Sequence, residues 1–252
     1  MSTNASFIYY YRGGDFGRKL DGTTVQQITG NPPGTSLEAI RINDISYTEY
    51  FIVPEAKSFR LKTTYPGLLL GTGYNHPARE QGDFQMGFFF DHSTGMPVIP
   101  GSTIKGMLKS VFPKNGDVDE IKQEKLSYVR GLSKLITGKD ILIDQNNWER
   151  LFEKGNFFFD AYISGVPSNS KVFAEDYITP HKNIFKDPIP IRFLKIAPNV
   201  TFTFQFQLID SCLENNRKIS FNEKLKLFEK ILLYFGIGAK RNVGYGNLTD
   251  TL

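Results

Sequence analysis

Residues 201–208 (TFTFQFQL) set the narrowest limit on what this chain can fold into. Phenylalanine recurs at every second position, Phe202, Phe204 and Phe206, with Thr203, Gln205 and Gln207 between them. Successive side chains of a strand point to opposite faces, so this order puts three rings on one side and the polar groups on the other. On a helix the same rings would be scattered around the circumference. The segment is therefore predicted as a strand in a sheet with one buried face. Two stretches read as helices. Residues 117–137 place Ile121, Leu126, Val129, Leu132 and Leu135 on one helical stripe, with Asp117, Asp119 and Glu120 at the end where the helix dipole favours acids. Residues 222–235 form a second amphipathic helix, preceded by Ser220 and Glu223 at capping-box spacing.

The remaining elements follow from similar patterns. Residues 57–65 (KSFRLKTTY) alternate, with Phe59 and Leu61 facing one way. Residues 84–91 (FQMGFFFD) read as a central strand because of their apolar run, and 96–99 as a short extended piece. After Pro100-Gly101, residues 102–112 carry Ile104, Leu108 and Val111 at helical spacing, with Ser102 or Thr103 as N-cap and Pro113 as the stop. Residues 155–163 (GNFFFDAYI) and 189–196 (IPIRFLKI) read as strands, and a short strand closes the chain. This order predicts an α+β fold, a ferredoxin-like βαββαβ topology with long insertions. With no repeat, low-complexity tract or linker, residues 1–252 read as one elaborated domain.

Composition narrows the function classes. A chain of 252 residues with 40% hydrophobic content can bury a real core and is not disordered throughout. Cys212 is the only cysteine, which excludes a disulfide scaffold and a cysteine-based zinc site. No metal or cofactor is expected. The first residues lack a signal-peptide pattern and no run of about 18 apolar residues exists, so a cytoplasmic location is expected. The net charge of +4 lies in the second half, since residues 1–126 hold 13 basic and 13 acidic side chains. That excess is too small to mark a nucleic-acid binder by itself.

Two glycine-rich segments are more specific. Gly236, Gly238, Gly244 and Gly246 flank Lys240, Arg241 and Asn242 directly behind the last helix (GIGAKRNVGYG). Glycine permits positive φ and close backbone approach, so amides there could face an anion, with the two cations adding charge-assisted hydrogen bonds to phosphate. Gly236 also suits a plain helix C-cap. The second segment runs from Gly95 to Gly106 (GMPVIPGSTIKG) and delivers the chain into a helix whose first amides, at Gly101, Ser102 and Thr103, are free to meet an anion. Lys105 and Lys109 share one face of that helix. Nucleotide motifs are missing: Gly138-Lys139 lacks the upstream glycine and the following Ser/Thr of a phosphate-binding loop, and Gly71-Thr72-Gly73 lacks the third glycine of a dinucleotide fingerprint.

These residues carry a family resemblance. PGSTIKGMLKSVF resembles the helix entry of RAMP proteins, the repeat-associated RNA-binding proteins of CRISPR systems, and GIGAKRNVGYG is similar to their C-terminal glycine loop. YPGLLLGTGYNHP, MGFFFDHSTGMPVIPGS, FFFDAYI, DYITPHK and IPIRFLKI resemble, in order and spacing, the terminal RAMP subunits of type III-B (Cmr) effector complexes. The resemblance covers residues 57–250, and residues 1–56 match weakly. It implies a modified ferredoxin-like (RRM-like) domain and a non-catalytic RNA-binding role in antiviral defence. The partners implied are CRISPR RNA, held towards its 3′ end, its complementary target RNA and neighbouring RAMP subunits. RNA contacts are expected at the two glycine segments and at the loop residues Tyr74, His76, His181 and Tyr245. Lys109 stands where many RAMP proteins carry Arg, which keeps the charge and loses the bidentate fork. Tyr9, Tyr10, Tyr11, Arg12 and Arg18 inherit no role.

An alternative is a metal-independent endoribonuclease processing precursor CRISPR RNA. It needs a base near a ribose 2′-OH, and His181 beside Lys182, or His76 near Tyr74, would supply one. Asp91, His92 and Asp160 lack metal-site spacing, and Asp160 is expected to satisfy a backbone donor instead.

Overall fold

The alternation at residues 201–208 is realised as a strand with Phe202, Phe204 and Phe206 all buried. The computed structural model describes residues 53–70, 85–86, 88–91, 96–138, 143–144, 147–166, 172–178, 191–213 and 218–251. Tyr74, His76, His92 and His181, and the N-terminal Tyr9, Tyr10, Tyr11, Arg12 and Arg18, lie outside the described residues. The chain runs through β1 (Lys57–Thr63), β2 (Gln85–Met86), β3 (Phe89–Phe90) and β4 (Pro97–Ile99) into α1 (Gly101–Ser110) and α2 (Asp119–Thr137). A 3-10 turn (Trp148–Phe152) precedes β5 (Phe157–Phe158), β6 (Ala161–Gly165), β7 (Phe173–Ile178), β8 (Ile191–Ile196) and β9 (Thr201–Gln207). The hairpin strands β10 (Ser211–Cys212) and β11 (Lys218–Ile219), helix α3 (Phe221–Phe235) and β12 (Leu248–Asp250) follow.

Among the described residues the main sheet has seven strands in the order β12-β1-β9-β6-β4-β3, with β5 also paired to β9. All its pairings are antiparallel. Its apolar face is a layer of rings: Phe59 lies 5.4 Å from Phe204 and 5.3 Å from Phe206, and Phe206 meets Phe228 of α3 at 6.1 Å. α3 packs on β1 and β12, and α1 and α2 pack against α3, so the helices cover this face of the sheet. Among the described residues, most aromatic side chains are thus buried in the core or packed against it. A smaller sheet, β2-β8-β7, stands apart from the first.

Four sequence expectations are corrected. Residues 84–91 do not form one central strand: β2 pairs with β8 in the small sheet, while β3 ends the large one. Residues 155–163 likewise split into β5 and β6, because Asp160 between them turns to cap a helix. α1 begins one residue before Ser102, with Pro100 at the N-cap and no side-chain cap from Ser102 or Thr103. The stripe of α2 is narrower than predicted. Leu126, Val129 and Leu132 are buried, but Ile121 and Leu135 are 43% and 70% exposed, so the buried stripe is confined to the middle of the helix. The capping box at Ser220 and Glu223 is present with both reciprocal hydrogen bonds.

Beneath α3 one lysine is completely buried. Lys224 Nζ donates to Ser211 Oγ at 2.6 Å and to Asn156 Oδ1 at 3.2 Å, tying the β10–β11 hairpin and the turn before β5 to the helix. Burial lowers its pKa to about 8, against the opposing pull of Glu153 and Asp210. Between that value and the ordinary lysine value the unfolded chain binds more protons than the folded one, so stability rises with pH in this window. Wild-type protein should gain about 2 kcal/mol over Lys224→Met between roughly pH 7.5 and 9.5. Urea melts of both proteins across that range check this, and a constant difference between them contradicts it.

Candidate nucleic-acid interface

The glycine loop is a clamp before it is anything else. Where α3 ends, the Gly236 amide donates to the Leu232 carbonyl at 2.9 Å, the C-cap role expected of it. The two arms of the loop then join, Ile237 N–H to Gly246 O at 2.9 Å. The 67–69 segment threads alongside: the Ala239 amide reaches the Leu69 carbonyl at 2.6 Å and the Gly246 amide the Gly67 carbonyl at 2.8 Å. A Cβ on Gly246 would stand 1.9 Å from Ile237 O, and one on Gly238 would stand 2.1 Å from Leu69 O. Gly236, Gly238 and Gly246 are required by backbone packing, and the amides of Gly236, Gly244 and Gly246 are taken by carbonyls of this chain. They are not open to a phosphate, contrary to the sequence expectation.

The tip of the loop is different. Lys240 has left-handed backbone angles (φ 55°, ψ 33°), and a 3-10 turn over Arg241–Val243 follows. Its carbonyls are used, by Val243 N–H to Lys240 O at 3.1 Å and Gly244 N–H to Arg241 O at 2.9 Å. Among the described residues, no acceptor takes the amides of Lys240, Arg241 and Asn242. A left-handed residue followed by a right-handed turn gathers successive N–H groups into a concavity that suits an anion. Lys240, Arg241 and Asn242 are all exposed there.

Arg241 joins the two glycine segments. Its Nη1 donates to the Phe235 carbonyl at 3.1 Å, closing the C-terminal end of α3, and lies 3.3 Å from Met107 Sδ in α1. Lys105 and Lys109 do share a face of α1, as predicted. Each is two residues from Met107, about 200° around the helix, so that face is the opposite flank from the loop. There Lys105 Nζ sits 5.3 Å above the Phe158 ring, and Lys109 Nζ sits 5.9 and 5.7 Å above Trp148 and Phe152. Exposed Ser102 and Gly106 form the crest between the two flanks, and nothing lies within 4 Å of a Cβ built on Gly106.

The start of α1 is already occupied. Gly101 N–H donates to Asp160 Oδ1 at 2.7 Å, so a carboxylate of the chain itself fills the position expected for a phosphate. Gly101 is required by packing, since its Cβ would fall 2.0 Å from the Phe158 carbonyl. Asp160 has the backbone-satisfying role predicted for it.

Tyr245 is also corrected. Its ring is buried between Phe193, at 6.2 Å, and the Lys195 ammonium, 5.3 Å from the ring centre, which leaves no open face for a base. Its hydroxyl donates to Asp176 Oδ2, which also pairs with Lys195. Burial pushes the Asp176 carboxyl up, but hydrogen bonds from Lys195, Tyr245 and the Tyr177 amide outweigh this and hold its pKa below the ordinary aspartate value. Burial, together with that acceptor, pushes the Tyr245 hydroxyl up. Sequence reasoning missed this triad. The available signal was the hairpin register: Asp176 lies opposite Phe193, so it shares a face with Lys195 two residues on. With Leu69 and Ala239, Phe193 and Tyr245 form a small second core that docks the loop onto β8.

Among the described residues, no group of three or more His, Cys, Asp or Glu is arranged to hold a metal ion, and no helix is long and apolar enough to cross a membrane.

A family model described as the RAMP superfamily matches residues 60–249. Over 168 residues the chain is 27% identical to the "CRISPR system CMR subunit Cmr6" of Saccharolobus solfataricus, which is 64% of this chain and 48% of that protein. The chain thus spans about half the length of that curated relative. Among solved structures, it is 27% identical to a chain of the type III-B Cmr-beta complex bound to cognate target RNA, with a TM-score of 0.44, covering 76% of this chain and 56% of that one. It is 22% identical to Cmr6 from Pyrococcus furiosus, with a TM-score of 0.46, covering 79% and 98%.

Proposed function

Because the chain belongs to the RAMP superfamily, we propose that it is a non-catalytic RNA-binding subunit of a type III-B CRISPR (Cmr) ribonucleoprotein effector. It holds CRISPR RNA towards its 3′ end, beside the complementary target RNA, and contacts neighbouring RAMP subunits in the cytoplasm. The sequence similarity to a Cmr6 subunit supports this reading. The strand order β12-β1-β9-β6, with α1 between β1 and β6 and α3 between β9 and β12, supports a ferredoxin-like core, with residues 1–252 as one domain.

The observation that carries the RNA reading is the loop tip: three adjacent amides, without an acceptor among the described residues, beside exposed Lys240 and Arg241. Phosphate would meet the Lys240, Arg241 and Asn242 amides, and the strand would continue over Ser102, Thr103 and Gly106 at the crest of α1 towards Lys105 and Lys109. Gly236, Gly238, Gly244 and Gly246 act by holding this tip in place, and Gly101 by setting the start of α1. His76, His181 and Tyr74 stay as proposed RNA contacts on the sequence resemblance alone.

Salt dependence tests it. Each phosphate contact to single-stranded RNA contributes about 0.7 to the slope of log affinity against log salt. Lys240→Asn removes one charge and keeps a residue that tolerates left-handed backbone angles. It should lower the slope by about 0.7, and adding Arg241→Ala should bring the loss to roughly 1 to 1.4. An unchanged slope in the double variant overturns the loop assignment. Cleavage of a labelled precursor CRISPR RNA by the purified chain would overturn the non-catalytic reading.

A further inference from the structure

One large aromatic beside the loop has no place in the core. Tyr65 is 84% exposed, the most exposed large apolar or aromatic side chain among the described residues. Its backbone, by contrast, is fixed on both sides. Thr64 donates to the Asn247 carbonyl through its amide at 3.1 Å and its hydroxyl at 3.2 Å, and Gly67 accepts from Gly246. Pro66 lies against the loop, its Cδ 3.3 Å from where a Cβ on Gly244 would stand. Tyr65 is therefore carried on the strip of chain that the glycine loop clamps, next to the turn that ends in Val243, which is itself 67% exposed.

The two segments themselves carry charge of one sign, and the Asp176 carboxylate behind Tyr245 is paired with Lys195. Residues 60–70 and 236–247 contain Arg60, Lys62, Lys240 and Arg241 and no aspartate or glutamate. The three amides at the loop tip that lack an acceptor among the described residues add partial positive charge. A rigidly mounted ring beside a cationic, N–H-lined concavity matches the two needs of single-stranded nucleic acid, a stacking face and a phosphate site. A protein partner would instead need acidic groups at high density to meet this surface.

Resting on the RNA-binding reading above, we propose that Tyr65 is a stacking platform for one base of a single strand whose phosphate lies on the Lys240–Asn242 amides. Because every base has a π-face, the platform tolerates sequence, as a subunit serving many guides requires. The ring supplies the contact, and the hydroxyl is dispensable.

The full chain is titrated with short oligouridine and oligoadenine across a salt series, as wild type, Tyr65→Ala, Tyr65→Phe and Lys240→Asn. Tyr65→Ala is expected to weaken binding about 10-fold with an unchanged salt slope, and Tyr65→Phe to stay within about twofold. Tyr65→Trp adds a second readout: its new indole emission should be quenched as RNA binds. If Tyr65→Ala binds as wild type while Lys240→Asn flattens the slope, stacking is wrong and the loop reading stands. If neither variant changes binding, or the chain binds no RNA, both fall. Loss of assembly with other subunits in Tyr65→Ala, at unchanged RNA affinity, also overturns the proposal and marks Tyr65 as a protein contact.

Discussion

Gly246→Ala is expected to destabilise the protein by about 3–5 kcal/mol, a large part of a typical domain's stability. Two penalties add. The residue sits at φ +75°, where an L side chain is strained by about 1–2 kcal/mol. The new Cβ would also lie 1.9 Å from the Ile237 carbonyl oxygen. That oxygen is backbone, so no rotamer change relieves the clash and the two arms of the loop must part. Parting them breaks the Ile237–Gly246 and Gly246–Gly67 hydrogen bonds and lifts Tyr245 off Phe193. Gly106→Ala is the control. Gly106 is exposed in α1, and nothing lies near its added Cβ. Alanine there should raise stability by about 0.5–1 kcal/mol through helix propensity. Chemical denaturation of the two variants separates a glycine needed for space from one that is not. Similar effects in both would mean that the clamp does not hold the loop.

Asp176→Ala is expected to cost about 3 kcal/mol, for a different reason. Lys195 is only 6% exposed, with its ammonium 5.3 Å from the centre of the Tyr245 ring. Without Asp176 its ammonium is left uncompensated in a low-dielectric setting, and the Tyr245 hydroxyl loses its acceptor. The cost falls at the low end of what breaking a buried pair brings, because Asp176 itself is partly open to water. Asp176→Leu combined with Lys195→Met should recover most of the loss, since the desolvation of both charges disappears together. The acid limb carries the same information. The folded Asp176 pKa lies below its unfolded value, so the stabilisation is complete above about pH 4 and is lost as pH falls through the folded value. Wild type should lose its advantage over Asp176→Ala in that range. An advantage that persists at the acid extreme would show that packing, and not charge, holds the hairpin to the loop.

Elements with a strong local period are legible in the amino-acid order alone. The rings of β9, the capping box of α3 and the alternation in β1 depend on neighbours one to four residues away, and all appear as expected. The apolar run at residues 84–91 is misleading, because hydrophobicity reports burial and not which of two sheets does the burying. The glycine loop is exceptional in both sequence and structure, but for different reasons. Its composition suggests a ligand site, whereas three of its four glycine amides serve the end of α3, the 67–69 segment or the loop itself.

That difference has a general cause. The α+β class and the buried face of the central strand can be read from the chain, because each follows from local geometry. Which glycines exclude a side chain, and from what, depends on packing between distant segments. Leu69 and Gly238 come from opposite ends of the described chain, and Asp176 and Tyr245 lie 69 residues apart. No local pattern encodes such meetings. Long-range packing removes Tyr245 from the surface, puts Asp160 on the helix start and leaves Lys240, Arg241, Asn242 and Tyr65 facing solvent. Burial and hydrogen-bond satisfaction are properties of the whole fold, and they select which residues remain open to a partner.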